Sequence, residues 1–313
     1  MAAQDQDGST PLHKASFNGH LNLVRFLVEH GASAVAEDQR GLTPLHEASA
    51  QHDLDLLRFL IEHGADVAAQ GKDGWTPLDN AFEFRQFDVA QFLVEHGANV
   101  AELGSKLLNH ALGQGHLGLT RALVERGANA AAQSQDGRTL LHCVSRLGHL
   151  ELAQFFVEHG TNAAAQDQCG STPLHEASRR GHLDLARFLV KQGANATAQD
   201  QGGSTPLHQV SQCGHLGLAR FLVDHDANTA AQDQDGSTPL HEASRRGHLD
   251  LARFLVEHGA NAAAQDQGGL TPLHHASQLG HLDLAQFFIE HRDGAAAADQ
   301  TTPQVQQELR GLL

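Results

Sequence analysis

A four-residue motif, Thr-Pro-Leu-His, recurs through this chain, mostly at intervals of 33 residues. Complete copies begin at Thr10, Thr43, Thr172, Thr205, Thr238 and Thr271, and near copies begin at Thr76 and Thr139. Self-similarity at a fixed period of about 20 to 50 residues is typical of stacked supersecondary units rather than of one globular core. The period therefore predicts an array of nine similar units that accounts for nearly all of the 313 residues.

The unit at residues 232–264 shows what the motif does in each copy. Thr238 can cap a helix, and Pro239 suits the first helical turn, where its missing N–H costs nothing. Gly247 interrupts this short helix, and a second helix with apolar residues at helical spacing should end at Gly259 in a left-handed cap. Helices this short are marginal alone in water, so each unit needs its neighbours for stability.

The full pattern, D-x-x-G-x-T-P-L-H-x-A-S-x-x-G-H-L-x-L-x-x-x-L-V-E-H-G-A-N, resembles the ankyrin repeat over about residues 2–297. The resemblance implies an all-α solenoid of stacked helix-turn-helix units, each with a β-turn finger, a concave inner helix and a convex outer helix. It also implies protein partners bound along the fingers and inner helices. Catalysis is not implied.

We divide residues 1–300 into nine repeats and expect residues 301–313 to form a capping half-helix over the last repeat. Thr302-Pro303 repeats the helix-start signature, and the alternative is a short docking helix for another protein. The predicted repeats are residues 5–35, 38–68, 71–101, 102–131, 134–164, 167–197, 200–230, 233–263 and 266–296.

Repeats 2 to 4 depart from the pattern, whereas the later repeats are uniform. Repeat 4 carries residues 106–109, Lys-Leu-Leu-Asn, where Thr-Pro-Leu-His is expected, and it is three residues short before this point. We therefore expect a stunted fourth finger. In contrast, residues 171–190 and 237–256 are identical, so a partner that contacts repeats 6 and 8 would meet the same surface twice.

Charge, hydropathy and cysteine content bound the class of protein. The formal net charge of −16 disfavours nucleic acid as a partner, because phosphate-backbone binders usually carry a basic stripe. No apolar run approaches the roughly 18 residues that span a bilayer, so no membrane partner is expected. Three cysteines without a C-x-x-C pair fit an intracellular protein, cytoplasmic or nuclear, and we expect a monomer.

The 24 histidines invite a metal-binding interpretation, but 21 of them fall at only three repeated positions. His13, His20 and His30 show one of each. Copies of one position lie on different repeats and cannot converge on one tetrahedral ion, so we expect no metal and no cofactor. The sequence also lacks nucleophile-elbow, zinc-protease and phosphate-loop motifs, which argues against an enzyme.

Two groups of residues are candidates for partner contact. The first surrounds the single tryptophan, Trp75, on the third finger, with Phe84 on the following inner helix and Lys72 and Asn80 nearby. Exposed aromatic residues are common binding hot spots. The alternative is that Trp75 and Phe84 pack over the space left by the missing fourth finger.

The second group is a set of arginines on inner helices, suited to acidic groups on a partner. The alternative is ordinary helix ion pairs, because Glu176 and Glu242 stand three and four residues before them. The group comprises Arg146, Arg179, Arg180, Arg245 and Arg246.

These features predict a non-enzymatic scaffold that binds proteins through its concave face and fingers. Two narrower functions stay open. One is a substrate-recognition adaptor in a larger complex such as a ubiquitin ligase, and the other is an inhibitor that acts by occlusion.

Overall fold

The computed structural model describes residues 3–100 and 104–295, and for residue 105 and residues 292–295 it describes the helical backbone alone. Within this part of the chain lie eighteen α-helices in nine consecutive pairs. The predicted all-α array of stacked helix-turn-helix units is confirmed. The proposed cap at residues 301–313 lies outside the described residues, and the repeat boundaries stay a prediction.

The first helix of each pair is called inner and the second outer. The inner helices are α1 (Pro11–Phe17), α3 (Pro44–Ala48), α5 (Pro77–Glu83), α7 (Gly104–Gly113), α9 (Leu140–Leu147), α11 (Pro173–Arg180), α13 (Pro206–Cys213), α15 (Pro239–Arg246) and α17 (Pro272–Gln278). The outer helices are α2 (Leu21–Glu29), α4 (Leu54–Glu62), α6 (Phe87–Glu95), α8 (Leu117–Glu125), α10 (Leu150–Glu158), α12 (Leu183–Lys191), α14 (Leu216–Val223), α16 (Leu249–Glu257) and α18 (Leu282–Ala295).

Repeat 8 folds as its sequence predicts. Thr238 is the extended N-cap of α15, and Pro239 occupies the first helical position. Gly247 ends this helix with a left-handed φ of 74°, a conformation that glycine adopts without steric cost. Gly259, at φ 90°, takes the corresponding place after α16.

The described residues form two compact units. The first contains residues 3–100 and 104–135 together with Gln154–Thr161, and the second contains Asp136–Ala153 together with residues 162–295. In the first unit α1 packs on α3 and α3 on α5, while in the second α9, α11, α13, α15 and α17 pack in succession. The motif leucines are buried in both units, as Leu45 and Leu207 show, so the cores are built from stacked inner helices.

The fingers are held by an aspartate and by their neighbours. In repeat 8 the Asp233 carboxylate accepts hydrogen bonds from the backbone N–H groups of Asp235 at 3.0 Å and Ser237 at 2.8 Å. The backbone N–H of Gln234 donates to the carbonyl oxygen of Gly202 in the preceding finger at 2.8 Å. Each such finger is therefore fixed both internally and to the finger before it.

The motif histidine joins each regular repeat to the next. The backbone N–H of Thr205 donates to Nδ1 of His208 at 3.1 Å, so this nitrogen carries no proton. The proton sits on Nε2, which donates to the carbonyl oxygen of Ser237, 29 residues later, at 3.1 Å. We call this pair of bonds the histidine clamp. The same clamp joins His13 to Leu42, His46 to Trp75, His142 to Ser171, His175 to Ser204 and His241 to Leu270.

Repeats 3 and 4 lack the clamp. Asp79 replaces histidine in repeat 3, and its carboxylate accepts hydrogen bonds from the N–H and hydroxyl of Thr76 at 2.8 and 2.5 Å. This closes the local helix cap, but among the described contacts Asp79 has none with the next repeat. In repeat 4, Asn109 takes the place of histidine and is exposed. Helix α7 begins at Gly104, two residues before the position of the missing threonine.

Among the described residues, two that are not glycine adopt the left-handed conformation that glycine supplies elsewhere. Arg85, after inner helix α5, has φ 56°, and Asp226, after outer helix α14, has φ 66°. Left-handed backbone costs a non-glycine residue about 1–2 kcal/mol, and aspartate tolerates it better than arginine. Repeat 3 is therefore strained at the point where it also lacks the clamp.

Acidification should destabilise the fold through the clamp histidines. Burial lowers the pKa of His46, His142, His175, His208 and His241. The unfolded chain then binds more protons than the folded one, so stability is complete above the unfolded pKa of about 6.5 and falls as pH drops towards the folded pKa. Each histidine that protonates only on unfolding contributes about 1.4 kcal/mol per pH unit within that window.

Urea unfolding between pH 7.5 and 5.5 measures this slope. His208→Asp, which copies the residue of repeat 3, should lower both the stability and the slope. A slope of zero in the native protein would contradict the clamp.

Arg85→Gly should stabilise the protein by about 0.5–1 kcal/mol, because the relief of left-handed strain exceeds the extra chain entropy of glycine. Asp226→Gly should stabilise it less. Gly181→Ala should do the opposite, since φ is +75° there and an added Cβ would lie 2.6 Å from the ring of His215. Urea midpoints check all three, and an unchanged or lower midpoint for Arg85→Gly would show that no strain is stored there.

Candidate protein-binding surface

Many of the remaining repeated histidines also make side-chain hydrogen bonds. Nε2 of His182 donates to the carbonyl oxygen of Arg146 at the end of the previous inner helix, at 3.3 Å. His258, after an outer helix, donates from Nδ1 to the carbonyl oxygen of Phe254 at 2.8 Å and stacks on its ring at 4.1 Å. Among the residues that the structure describes, no group of three or more His, Cys, Asp or Glu side chains is placed to hold a metal ion.

One position of the repeat varies in chemistry and faces solvent. It is the residue immediately before the glycine that follows each inner helix, and in the second unit we call these residues the terminal row. Its apolar members, Leu147 and Leu279, are 42% and 56% exposed, although leucine side chains are usually buried. The terminal row comprises Leu147, Arg180, Cys213, Arg246 and Leu279, all exposed.

The left-handed glycine explains this exposure. The chain reverses direction there to start the outer helix, and the preceding residue therefore stands at the end of the inner helix, where its side chain is exposed. Sequence reasoning missed the two leucines and Cys213. Alignment of the residues before Gly148, Gly214 and Gly280 was the signal that could have found them.

The five candidate arginines divide into bound and free groups. Arg245 contacts the carboxylates of Glu242 and, at 3.6 Å, Asp266, and it donates to the hydroxyl of Ser237 at 2.8 Å. Arg179 donates to the side-chain oxygen of Gln209 at 3.0 Å. Arg179 thus links its helix to the next inner helix, and Arg245 links its helix to the fingers of repeats 8 and 9.

The other three arginines, Arg146, Arg180 and Arg246, are exposed. In the described part of the chain no ion pair involves any of them, so their guanidinium donors are available to a partner. Glu176, expected beside Arg179 and Arg180, is buried and lies 4.0 Å from Arg138 of the preceding repeat. The helix ion-pair alternative therefore holds for Arg245 alone.

The aromatic candidates of the first unit differ in their surroundings. Trp75 is half-buried, and its indole N–H donates to the side-chain oxygen of Asn80 at 2.7 Å. Asn80 in turn donates to the carbonyl oxygen of His46 at 2.6 Å, so this pair links two repeats. Phe84, the residue that caps α5, is 55% exposed, and Lys72 is exposed on the finger. Trp75 is thus part of the framework, and Phe84 is a surface residue.

Three thiols lie on or near the surface. Cys169 and Cys213 are exposed and Cys143 is half-buried, and all three are free. Burial raises the pKa of the Cys143 thiol. Within residues 3–100 and 104–295, no helix is both long enough and apolar enough to cross a membrane.

Arg245 and Arg246, which are adjacent on one helix, test the distinction between arginines with internal bonds and arginines that are available to a partner. Arg245→Ala should lower the unfolding free energy by about 1 kcal/mol, because it removes charge-assisted bonds to Glu242 and Asp266. Arg246→Ala should change it by less than about 0.5 kcal/mol, as is usual for exposed side chains. Thermal or urea unfolding of the two variants measures the difference, and equal costs would contradict the assignment.

Comparison with known proteins supports the fold described above. The family model described as "Ankyrin repeats (3 copies)" matches residues 1–71, 37–103, 107–200, 144–233 and 192–266. The model described as "Ankyrin repeat" matches residues 268–302. The chain is 54% identical over 33 residues to ankyrin repeat domain-containing protein 49 of Bos taurus, a stretch that covers 10% of this chain and 14% of that protein. The regular helix pairs, the left-handed glycines and these matches agree, and the chain belongs to the ankyrin repeat family.

Proposed function

We propose that this protein is a non-enzymatic scaffold that holds a protein partner along its inner helices, from the fingers at their N-terminal ends to the exposed residues at their C-terminal ends. Ankyrin repeats are generally protein–protein interaction modules. The observation that carries the proposal is the terminal row, where two leucines and two arginines are exposed and, among the described residues, neither arginine forms an ion pair. Exposed apolar and arginine side chains are the usual anchors of binding energy.

The histidines support a role without catalysis. The repeated histidines described above act as clamps and helix-end donors, and the clamp histidines are buried, with Nδ1 accepting one hydrogen bond and Nε2 donating another. A buried ring with both nitrogens occupied has no free lone pair for a general base. The exposed side chains at the ends of the described inner helices include arginine, leucine and phenylalanine, which suit recognition.

The free thiols favour an intracellular location, cytoplasmic or nuclear. Exposed cysteines such as Cys169 and Cys213 persist unpaired most readily in a reducing compartment. Phe84 is a second proposed contact, which belongs to the surface of the first unit.

Partner capture followed by quantitative binding tests the proposal. Proteins retained by the immobilised full chain would be identified by mass spectrometry, and one of them purified. Isothermal titration would then compare the native protein with Leu147→Ser/Leu279→Ser. We expect affinity to fall about tenfold, because two apolar anchors are lost.

A matched control is available on the outer helices of the first unit. Leu23 and Leu54 are 45% and 37% exposed, so Leu23→Ser/Leu54→Ser makes a comparable change away from the proposed surface. Affinity should stay unchanged in this variant. The opposite pattern, with loss only in the control, would move the binding surface to the outer helices and contradict the proposal.

A further inference from the structure

The terminal row has a regular chemical order along the second unit. From repeat 5 to repeat 9 it reads leucine, arginine, cysteine, arginine, leucine. The order is symmetric about Cys213, and the two arginines come from the identical segments at residues 171–190 and 237–256. Successive members belong to inner helices that pack directly on one another. The row is therefore a linear series of sites with one residue per repeat.

The spacing of this series matches an extended polypeptide. Packed helices lie about 8–10 Å apart, and an extended chain rises about 3.3 Å per residue, so one repeat corresponds to about three residues of a bound strand. Arg180 and Arg246 are two repeats apart, which corresponds to about six residues. Leu147 and Leu279 lie one repeat further out on either side.

The local charge favours an acidic strand in an otherwise acidic protein. Neither Arg180 nor Arg246 takes part in an ion pair among the described residues. The inner-helix carboxylates closest to them in sequence are engaged elsewhere: Glu242 pairs with Arg245, and Glu176 is buried near Arg138. Asp184 and Asp250 follow at the start of the outer helices, where a negative charge suits the helix dipole.

The net charge of −16 does not prevent an acidic peptide from binding, but it makes binding depend on where the acidic residues of the peptide lie. Salt at physiological strength screens charges beyond about 8 Å, so the arginines act on groups that lie directly against them. An acidic residue placed away from an arginine would meet the general negative field of the protein. Only carboxylates at the correct spacing gain from contact, because each can form a bidentate pair with a guanidinium group.

We infer that the terminal row binds an extended acidic peptide segment whose two carboxylate side chains lie about six residues apart and are flanked by apolar residues about three residues outside them. The carboxylates pair with Arg180 and Arg246, and the apolar side chains cover Leu147 and Leu279. A small residue at the centre faces Cys213. The inference rests on the proposed function and specifies the chemistry of the partner.

Two synthetic peptides test the register with the full chain. Both are 13 residues long and rich in serine and glycine, with leucine at positions 1 and 13, and they have the same composition; the first carries glutamate at positions 4 and 10, and the second at positions 6 and 8. Fluorescence anisotropy should show binding of the first about tenfold tighter than of the second. Equal affinities, or no binding of the first peptide, would overturn the inference.

Charge exchange separates direct pairing from an indirect effect. Arg180→Glu/Arg246→Glu should weaken the first peptide about tenfold or more, and a peptide with lysine at positions 4 and 10 should then bind the variant in preference to the native protein. Lys191→Glu is the control, because it changes the net charge of the same unit at an exposed outer-helix end and copies the glutamate found at Glu158 and Glu257. Melting curves establish that each variant is folded. A failure of the lysine peptide to bind the double variant would overturn the assigned pairing.

The outcome is distinguishable from failure of the proposed function. Loss of a captured partner in Leu147→Ser/Leu279→Ser, with neither peptide bound, would keep the scaffold function and reject the acidic strand. An unaffected partner and no peptide binding would reject both.

Discussion

The hydrogen bond from the motif histidine to the next repeat is the interaction on which this array depends. A helix pair this short cannot hold itself together, so its stability comes from what it shares with its neighbours. The clamp supplies a directional hydrogen bond between neighbouring repeats. His208 fixes the start of its own helix through Nδ1 and holds the following finger through Nε2. One neutral side chain thus couples local helix capping to the stacking of repeats, and both depend on which nitrogen carries the proton.

The clamp also explains where the protein is irregular. Repeats 3 and 4 replace the histidine with Asp79 and Asn109, and the same region carries the strained Arg85. Trp75 and Asn80 add a side-chain link between repeats 2 and 3, but the clamp of His46 already joins these two repeats. Evenly clamped repeats, in contrast, present the same scaffold each time. Differences at one surface position are then free to determine what is bound.

Much of the fold could be predicted from the sequence, because threonine, proline, leucine and glycine act within one repeat. Capping by Thr238 and termination at Gly247 are local events, and both were predicted. The partner of the histidine was not predictable in this way, since Ser237 lies 29 residues from His208 and meets it only through stacking. The repeats showed that most histidines occupy equivalent positions, which argued against one shared metal ion. They did not identify the carbonyl oxygen to which each histidine donates.

The candidate site was predicted less completely for the same physical reason. Helix spacing suggested that Glu176 would neutralise the following arginines, whereas tertiary packing directs it towards Arg138. The sequence left Trp75 open as a surface anchor or a packed residue, and only the structure shows that this half-buried side chain bonds to Asn80. Leu147 and Leu279 were overlooked because leucine at helical spacing normally indicates a core, and only the reversal of the chain at the glycine leaves them exposed.

The tautomer of the histidine rings tests the clamp most directly. In nitrogen-15 NMR spectra at pH 7, the clamp histidines should be neutral with the proton on Nε2, because Nδ1 accepts from threonine, and His208→Asp assigns one signal by its loss. Histidines after the outer helices, such as His258, should carry the proton on Nδ1 when neutral, since Nδ1 donates to a carbonyl oxygen. Clamp signals that report a charged ring, or a proton on Nδ1, would contradict the account.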